Sequence, residues 1–247
     1  MTVHTLVANT VVEREVAITT KKIKTPLSEG KMKIVIVGGV AGGATAAARI
    51  RRLNEHAEII IFERSGFISY ANCGLPYYIG GVIEDKEDLT LQTPESFFRR
   101  FRIIAKVNHE VTDIDLKNKT VHVTDLKTGT SFTETYDKLI LSPGAKPILP
   151  DFYTENERTF TLRTVEDTLK IRAFVEQKQP KTAVVIGGGF IGLEMAENLA
   201  KEIGFKNINI DLIYGKQQLE GFGMTYSSNI KKRDITVQRL SRKCLIS

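Results

Sequence analysis

Only two cysteines, Cys73 and Cys244, occur in the 247 residues. That is too few for a disulfide framework, and lone thiols fit a cytosolic setting that keeps them reduced. No apolar run approaches the ~18–20 residues that a membrane-spanning helix needs. The first residues lack a basic start followed by an apolar stretch, and they carry Glu13 and Glu15. Neither a secretory leader nor a transit peptide fits them, so a soluble cytoplasmic chain without a membrane is expected. A basic folded face is also lacking, although the net charge is +6. Residues 1–31 hold five Lys/Arg against three acids, and residues 231–247 hold six against Asp234 alone, which leaves the remainder slightly acidic. Nucleic acid needs its positive charge gathered on one folded surface, so no nucleic-acid partner is expected. No metal site is expected either.

What is present is an ordinary globular mix, with 42% apolar and 26% charged residues. Two segments share one pattern: a short β-branched run, a glycine cluster and an Ala-rich helix. They are Lys33–Val37, Gly38–Gly43 and Ala44–Leu53, then Ala183–Ile186, Gly187–Gly192 and Leu193–Lys201. They lie too far apart for a solenoid period and suit two separate nucleotide-binding βαβ units. The expected fold class is α/β with two Rossmann-like dinucleotide-binding domains.

Between these segments the reading is coarse. Glu58–Phe62 and Lys138–Leu141 have the composition of buried parallel strands. Thr93-Pro94-Glu95 starts a helix, and Thr164-Val165-Glu166-Asp167 is a capping box opening another. Thr120–Thr124 and Ser131–Tyr136 alternate around Lys127-Thr128-Gly129, a hairpin signal. Lys178–Lys181, with Pro180, leads into the second unit. A strand is expected at Asn207–Ile213. Residues 226–247 lack an apolar period and offer little to a core. The expected organisation is an atypical N-terminal extension at 1–31, a first nucleotide-binding domain at 32–150, a partial second one at 151–215, and an atypical basic tail at 216–247.

A helix N-terminus presents free N–H groups and partial positive charge to a pyrophosphate. Glycines let the phosphates approach the backbone and let helix and strand pack closely. Gly38-Gly39-Val40-Ala41-Gly42-Gly43 meets this need imperfectly, because Val40 stands where the fingerprint wants glycine. Glu63 supplies the missing context. It ends the next strand about 20 residues on, where a carboxylate accepts ribose hydroxyl hydrogen bonds. Gly187-Gly188-Gly189-Phe190-Ile191-Gly192 satisfies the full fingerprint at Gly187, Gly189 and Gly192. Its acidic partner is less clear. Asp211 falls inside the following strand and Tyr214-Gly215-Lys216 ends it, so NADH and NADPH both stay open.

Cys73 sits in Ser69-Tyr70-Ala71-Asn72-Cys73-Gly74-Leu75-Pro76. A lone cysteine is often just a small buried hydrophobe. This one follows the second strand of a dinucleotide unit, where the chain passes the cofactor, and hydroxyl and amide side chains flank it. A redox thiol and a structural one are both open on these residues alone. Thr45, Arg49 and Arg52 share one face of the first helix, so the two guanidinium groups could grip phosphates or simply form a solvated basic face.

Residues 32–214 resemble the single-cysteine branch of the pyridine nucleotide–disulfide oxidoreductases. The resemblance rests on Gly38–Gly43 with Glu63, on Ser69–Cys73 followed by Gly74-Leu75-Pro76-Tyr77-Tyr78, on Leu139-Ile140-Leu141-Ser142-Pro143-Gly144-Ala145, and on Gly187–Glu194. Within that branch it is strongest to coenzyme A-disulfide reductases, including forms with a C-terminal rhodanese domain. It implies FAD at Gly38, Gly39, Val40, Ala41, Gly42, Gly43, Glu63, Arg64, Val111, Ser142 and Gly144. It implies NADH or NADPH at Gly187, Gly189, Ile191, Gly192 and Glu194. It makes Cys73 the redox thiol and places coenzyme A against Thr45, Arg49, Arg52, Ser69 and Asn72. Arg49 departs from members that carry an uncharged polar residue there.

Two-cysteine relatives have their second cysteine five positions on, where this chain has Tyr78. The oxidised form of Cys73 is therefore a mixed disulfide with a small thiol or a sulfenic acid. The resemblance also implies a later segment with a Gly-Asp pair that completes the FAD site, and a C-terminal domain through which full-length relatives form homodimers. Neither is found in this sequence, so a truncated, inactive chain is an expectation. Two other readings stay open: an NADH oxidase or peroxidase that cycles Cys73 through sulfenic acid, and a non-catalytic nucleotide-binding remnant.

Overall fold

The computed structural model describes residues 32–147, 149 and 153–200 with their side chains, and residues 5–7, 10–12, 209–214 and 235–239 as strands. Cys244 lies outside the described residues. β1 (Thr5–Val7) and β2 (Thr10–Val12) pair as a short antiparallel hairpin.

The first β-branched run forms β3 (Lys33–Val37), followed by α1 (Ala41–Leu53) and β4 (Glu58–Glu63). β3 and β4 are parallel in the register Lys33 to Glu58 through Val37 to Phe62. A turn of 3₁₀ helix at Asn72–Gly74 leads into α2 (Leu75–Ile79), and α3 (Pro94–Phe101) precedes β5 (Ile104–Val107). Thr93 caps α3 in a reciprocal pair with Ser96. β6 (His109–Asp115), β7 (Thr120–Asp125) and β8 (Ser131–Thr135) form an antiparallel sheet, and the expected hairpin is its second half. β9 (Lys138–Leu141) returns to the parallel sheet, whose order is β5-β4-β3-β9.

Strand periodicity divides the core into two layers. Ile34, Ile36, Ile59 and Ile61 point toward α1 and α3, against Ala44, Ala47 and Phe97. Val35, Ile60 and Phe62 point the other way, onto Val121 and Val123 of the antiparallel sheet. Successive side chains of a strand face opposite sides, so one isoleucine-rich run serves both layers.

α4 (Val165–Lys178) starts at the expected capping box, with Asp167 reciprocating Thr164. β10 (Thr182–Ile186), α5 (Phe190–Ala200) and β11 (Asn209–Tyr214) make the second βαβ pattern, and β12 (Ile235–Arg239) adds a third parallel strand. Ile171, Val175, Met195, Ala196 and Leu199 pack together with Ile79 of α2.

Three sequence expectations need correction. Lys138–Leu141 is not a buried strand: among the described residues only β3 flanks β9, and Leu141 is 57% exposed. The helices after the glycine clusters begin at Ala41 and Phe190 rather than at Ala44 and Leu193, so glycine forms part of each first turn. The tail is not without pattern. Ile235-Thr236-Val237 is a β-branched run short enough to escape a periodicity test, and it pairs with Ile210–Leu212.

Candidate dinucleotide and thiol site

Gly38 ends β3 with φ +93°, a left-handed conformation that L side chains resist. A β-carbon there would run into the Ser142 carbonyl, and one at Gly43 would run into the carbonyl of Gly38. The turn therefore needs glycine at both positions, for backbone shape at Gly38 and for close packing at Gly43. Ser142 N–H donates to the Val37 carbonyl at 2.7 Å, and Gly38 N–H donates to Phe62 at 2.8 Å. The turn is held between β4 and β9, where the strand order changes direction and open α/β sheets bind ligands. α1 has no side-chain cap and no acid in its first turn. Its N-terminus offers N–H groups and positive potential to an anion.

Glu63 is almost fully buried, and both of its oxygens are used. Oε2 accepts from Gly39 N–H at 2.7 Å and Oε1 from Ser65 N–H at 2.8 Å. One carboxylate thus ties the glycine turn to the loop after β4. A cleft of about 810 Å³ opens here. Val40, Ala41, Gly42, Glu63, Arg64, Asn72, Ser142 and Gly144 of the expected site line it. Sequence reasoning missed Tyr70, Arg163 and Glu166 in the same wall. The capping box at Thr164 marked the start of α4 but not that this start faces the cleft. Glu166 accepts from Gly66 N–H at 2.7 Å and fastens α4 to that loop. Burial pushes the Tyr70 phenol up to about 12, with Glu63 adding to the effect, so it stays a neutral donor at ordinary pH.

These residues fit the adenosine and pyrophosphate portion of a dinucleotide: an uncapped helix start, a turn that side chains would block, and a carboxylate at the strand end. Val111 is placed elsewhere. It pairs with Val123 and packs in the layer between the two sheets. Glu63→Ala is expected to weaken FAD binding about 10- to 100-fold, the equivalent of one charge-assisted hydrogen bond. It also strands two N–H groups, so Glu63→Gln should lose less. Titration of flavin fluorescence with each variant checks this.

The second glycine turn repeats the geometry. Gly187 has φ +119°, and a β-carbon at Gly192 would meet the Gly187 carbonyl. Ile191 is exposed and Glu194 half-buried on α5. The register aligns Ile186 with Ile213, so Tyr214 takes the strand-end position that Glu63 holds in the first unit, and Asp211 lies mid-strand opposite Val184.

Cys73 is exposed and sits in the 3₁₀ turn next to Asn72. Ser69 N–H donates to Gly39 at 2.9 Å, which joins the cysteine loop to the glycine turn. Thr45, Arg49 and Arg52 are all exposed on α1. Arg51, between them, faces inward, and its guanidinium donates to the carbonyls of Phe101, Glu55 and Arg102. None of Cys73, Thr45, Arg49, Arg52 or Ser69 lines the cleft itself. Among the described residues no helix is long and apolar enough to cross a membrane, and no cluster of ligands could hold a metal ion.

Comparison with known proteins places this geometry. The sequence pattern of the pyridine nucleotide-disulphide oxidoreductases matches residues 32–242. A coenzyme A disulfide reductase of Staphylococcus aureus (strain bovine RF122 / ET3-1) is 49% identical over 169 residues, which is 68% of this chain and 38% of that protein. Reduced CoADR-RHD of Bacillus anthracis superposes with a TM-score of 0.74 at 43% identity, covering 85% of this chain and 38% of that one. The water-forming NADH oxidase of Lactobacillus brevis, bound to NADH, gives 0.70 at 27% identity, covering 84% and 46%. The chain thus spans under half the length of each.

Proposed function

This chain belongs to the pyridine nucleotide-disulphide oxidoreductase family, and we propose that it carries the cofactor and thiol portion of an NAD(P)H-dependent coenzyme A-disulfide reductase. The observation that supports this best is the position of Asn72, neighbour of Cys73, in the wall of the cleft built by the glycine turn and Glu63. In this reading residues 32–150 hold the first part of the FAD domain and residues 151–215 part of the NAD(P) domain.

Glu63 and the turn at Gly38–Gly43 hold the adenosine and pyrophosphate of FAD, with Arg64, Ser142 and Gly144 beside them. Gly187, Gly189 and Gly192 hold the pyrophosphate of NADH or NADPH. Bound FAD would supply the two-electron relay between nicotinamide and sulfur. The chain's own chemistry is at Cys73. Its thiolate attacks one sulfur of coenzyme A disulfide, forming a mixed disulfide and expelling one coenzyme A thiolate. Two electrons from NAD(P)H then cleave the mixed disulfide, which restores the Cys73 thiolate and releases the second thiol. Arg49 and Arg52 receive the phosphates of coenzyme A, and Thr45, Ser69 and Asn72 complete its site. In this reading the enzyme is cytoplasmic and its full-length relatives are homodimers.

The likeness to a water-forming NADH oxidase supports a second reading, in which Cys73 cycles through sulfenic acid and reduces oxygen or peroxide. An assay on the protein carrying this sequence, run anaerobically with coenzyme A disulfide or with peroxide and in air without either, decides between them. Coenzyme A disulfide should drive NAD(P)H oxidation with two thiols released per nucleotide. Oxidation driven by peroxide or oxygen alone, without thiol release, would put the second reading first. Running the assay with NADH and NADPH in parallel assigns the nucleotide.

A further inference from the structure

Arg172, on α4, makes more contacts outside its own helix than its place there requires. Its guanidinium lies over the Tyr78 ring at 4.1 Å from the centroid. Nη1 donates to the carbonyl of Tyr78 at 3.1 Å and approaches those of Ile83 and Glu84 at 3.4 Å each. Nε donates to Glu176, one turn along α4, at 2.8 Å, which fixes the head from behind. A helix C-terminus leaves carbonyls without partners, and a planar cation with several donors is suited to gather them. Stacking on Tyr78 sets the angle at which it does so.

What is gathered in this way is the last turn of α2, through Tyr78, together with the loop after it, through Ile83 and Glu84, and the other end of α2 is the 3₁₀ turn carrying Cys73. On the side of α5, Gly80 abuts Asn198 so closely that a β-carbon would meet its side chain at 2.7 Å. Asn198 is fully buried and donates to the Glu194 carbonyl. The exit of α2 is therefore fixed between α4 and α5, while the thiol end is left exposed.

We infer that Arg172 is a positioning residue for the redox thiol: it locks the exit of α2 and so sets where Cys73 stands relative to the cleft. The inference rests on the disulfide-reductase reading only for its consequence in turnover. A displaced thiol lengthens the path between sulfur and the electron relay, and misplacement by about 1 Å costs on the order of 10²-fold in rate. It leaves the two glycine turns untouched, since Arg172 contacts neither.

The test compares Arg172→Met, Arg172→Lys and Val121→Ala in the holoenzyme. Val121 is buried between the two sheets of the first unit, in a cluster that includes no residue of α2 or α4, and serves as a control for lost stability alone. Arg172→Met should lower kcat with coenzyme A disulfide about 10- to 100-fold, while NAD(P)H bleaches the flavin at the wild-type rate. Amide exchange at Gly80, Gly81, Val82 and Ile83, whose N–H groups bond to residues 76–78, should quicken in the same variant. Arg172→Lys should restore part of both, because it keeps the charge but not the fork. Val121→Ala should change neither beyond its effect on unfolding. Equal changes in Arg172→Met and Val121→Ala would overturn the proposal, as would unchanged exchange at residues 80–83. A wild-type protein that does not reduce coenzyme A disulfide would fail the functional reading instead, and the exchange result would still judge Arg172.

Discussion

In the proposed disulfide reductase, Cys73→Ser is expected to abolish reduction of coenzyme A disulfide, by about 10³-fold or more, while FAD binding and thermal stability stay at wild-type values. The chemical half of this expectation follows from sulfur. A thiolate attacks a disulfide and forms a new disulfide, whereas a serine hydroxyl is scarcely ionised at neutral pH and forms no such bond. The structural half follows from position. Cys73 is exposed, contributes to no buried cluster, and does not line the cleft that the nucleotide would fill. Exchanging sulfur for oxygen there leaves the packing of Gly74 and Leu75 intact, and those neighbours, not Cys73, are buried. Steady-state assay, flavin titration and a melting curve on one preparation test all three statements. Turnover unchanged in the variant would make Cys73 a bystander. A melting point several degrees lower would return it to a structural role.

Much of this site was legible in the sequence because its parts are backbone devices. Gly38 and Gly43 are required by a left-handed φ and a carbonyl contact, and such requirements leave glycine at fixed spacing between a strand and a helix. Glu63 was legible for the same reason: it occupies a strand end, and strand ends can be counted. Arg163 and Glu166 were not legible, because they reach the cleft from a loop and a helix start about 100 residues after Glu63, and Tyr70, though inside the cysteine motif, carried no local sign that it faces the cleft. No local pattern says which face of α4 meets the loop after β4. The antiparallel sheet was half legible. Its turn at Lys127-Thr128-Gly129 is a local signal with a glycine in it, whereas β6 joins β7 through residues 116–119, which hold neither glycine nor proline, and a bulge between Val111 and Asp113 breaks the alternation of β6. Val111, assigned to the site by resemblance alone, pairs with Val123 in the layer between the sheets and does not line the cleft. Arg172 was invisible for a related reason. Its partners at residues 78–84 are carbonyls, which every residue has.

Replacing Arg49 and Arg52 together by Ala is expected to cut kcat/KM for coenzyme A disulfide about 10²- to 10⁴-fold, while a small uncharged disulfide is used almost as before. In the proposed reading each guanidinium would make a charge-assisted contact with phosphate, and the loss of two such contacts sets the range. Both heads are exposed, so solvent screening places the result near the lower figure. Raising the salt concentration should shrink the wild-type preference toward that of the double variant, because the contacts are between charges. Arg51 provides the internal control. It lies between the two in sequence but spends its donors on the carbonyls of Phe101, Glu55 and Arg102. Arg51→Ala should therefore lower stability and leave the preference between disulfides unchanged. The comparison separates a phosphate-binding face from a generally basic helix, since both variants remove positive charge from the same turns. If the double variant loses activity equally on both disulfides, the arginines serve the fold. Reduction of oxygen or peroxide, which needs no phosphate grip, would then be the better account of Cys73.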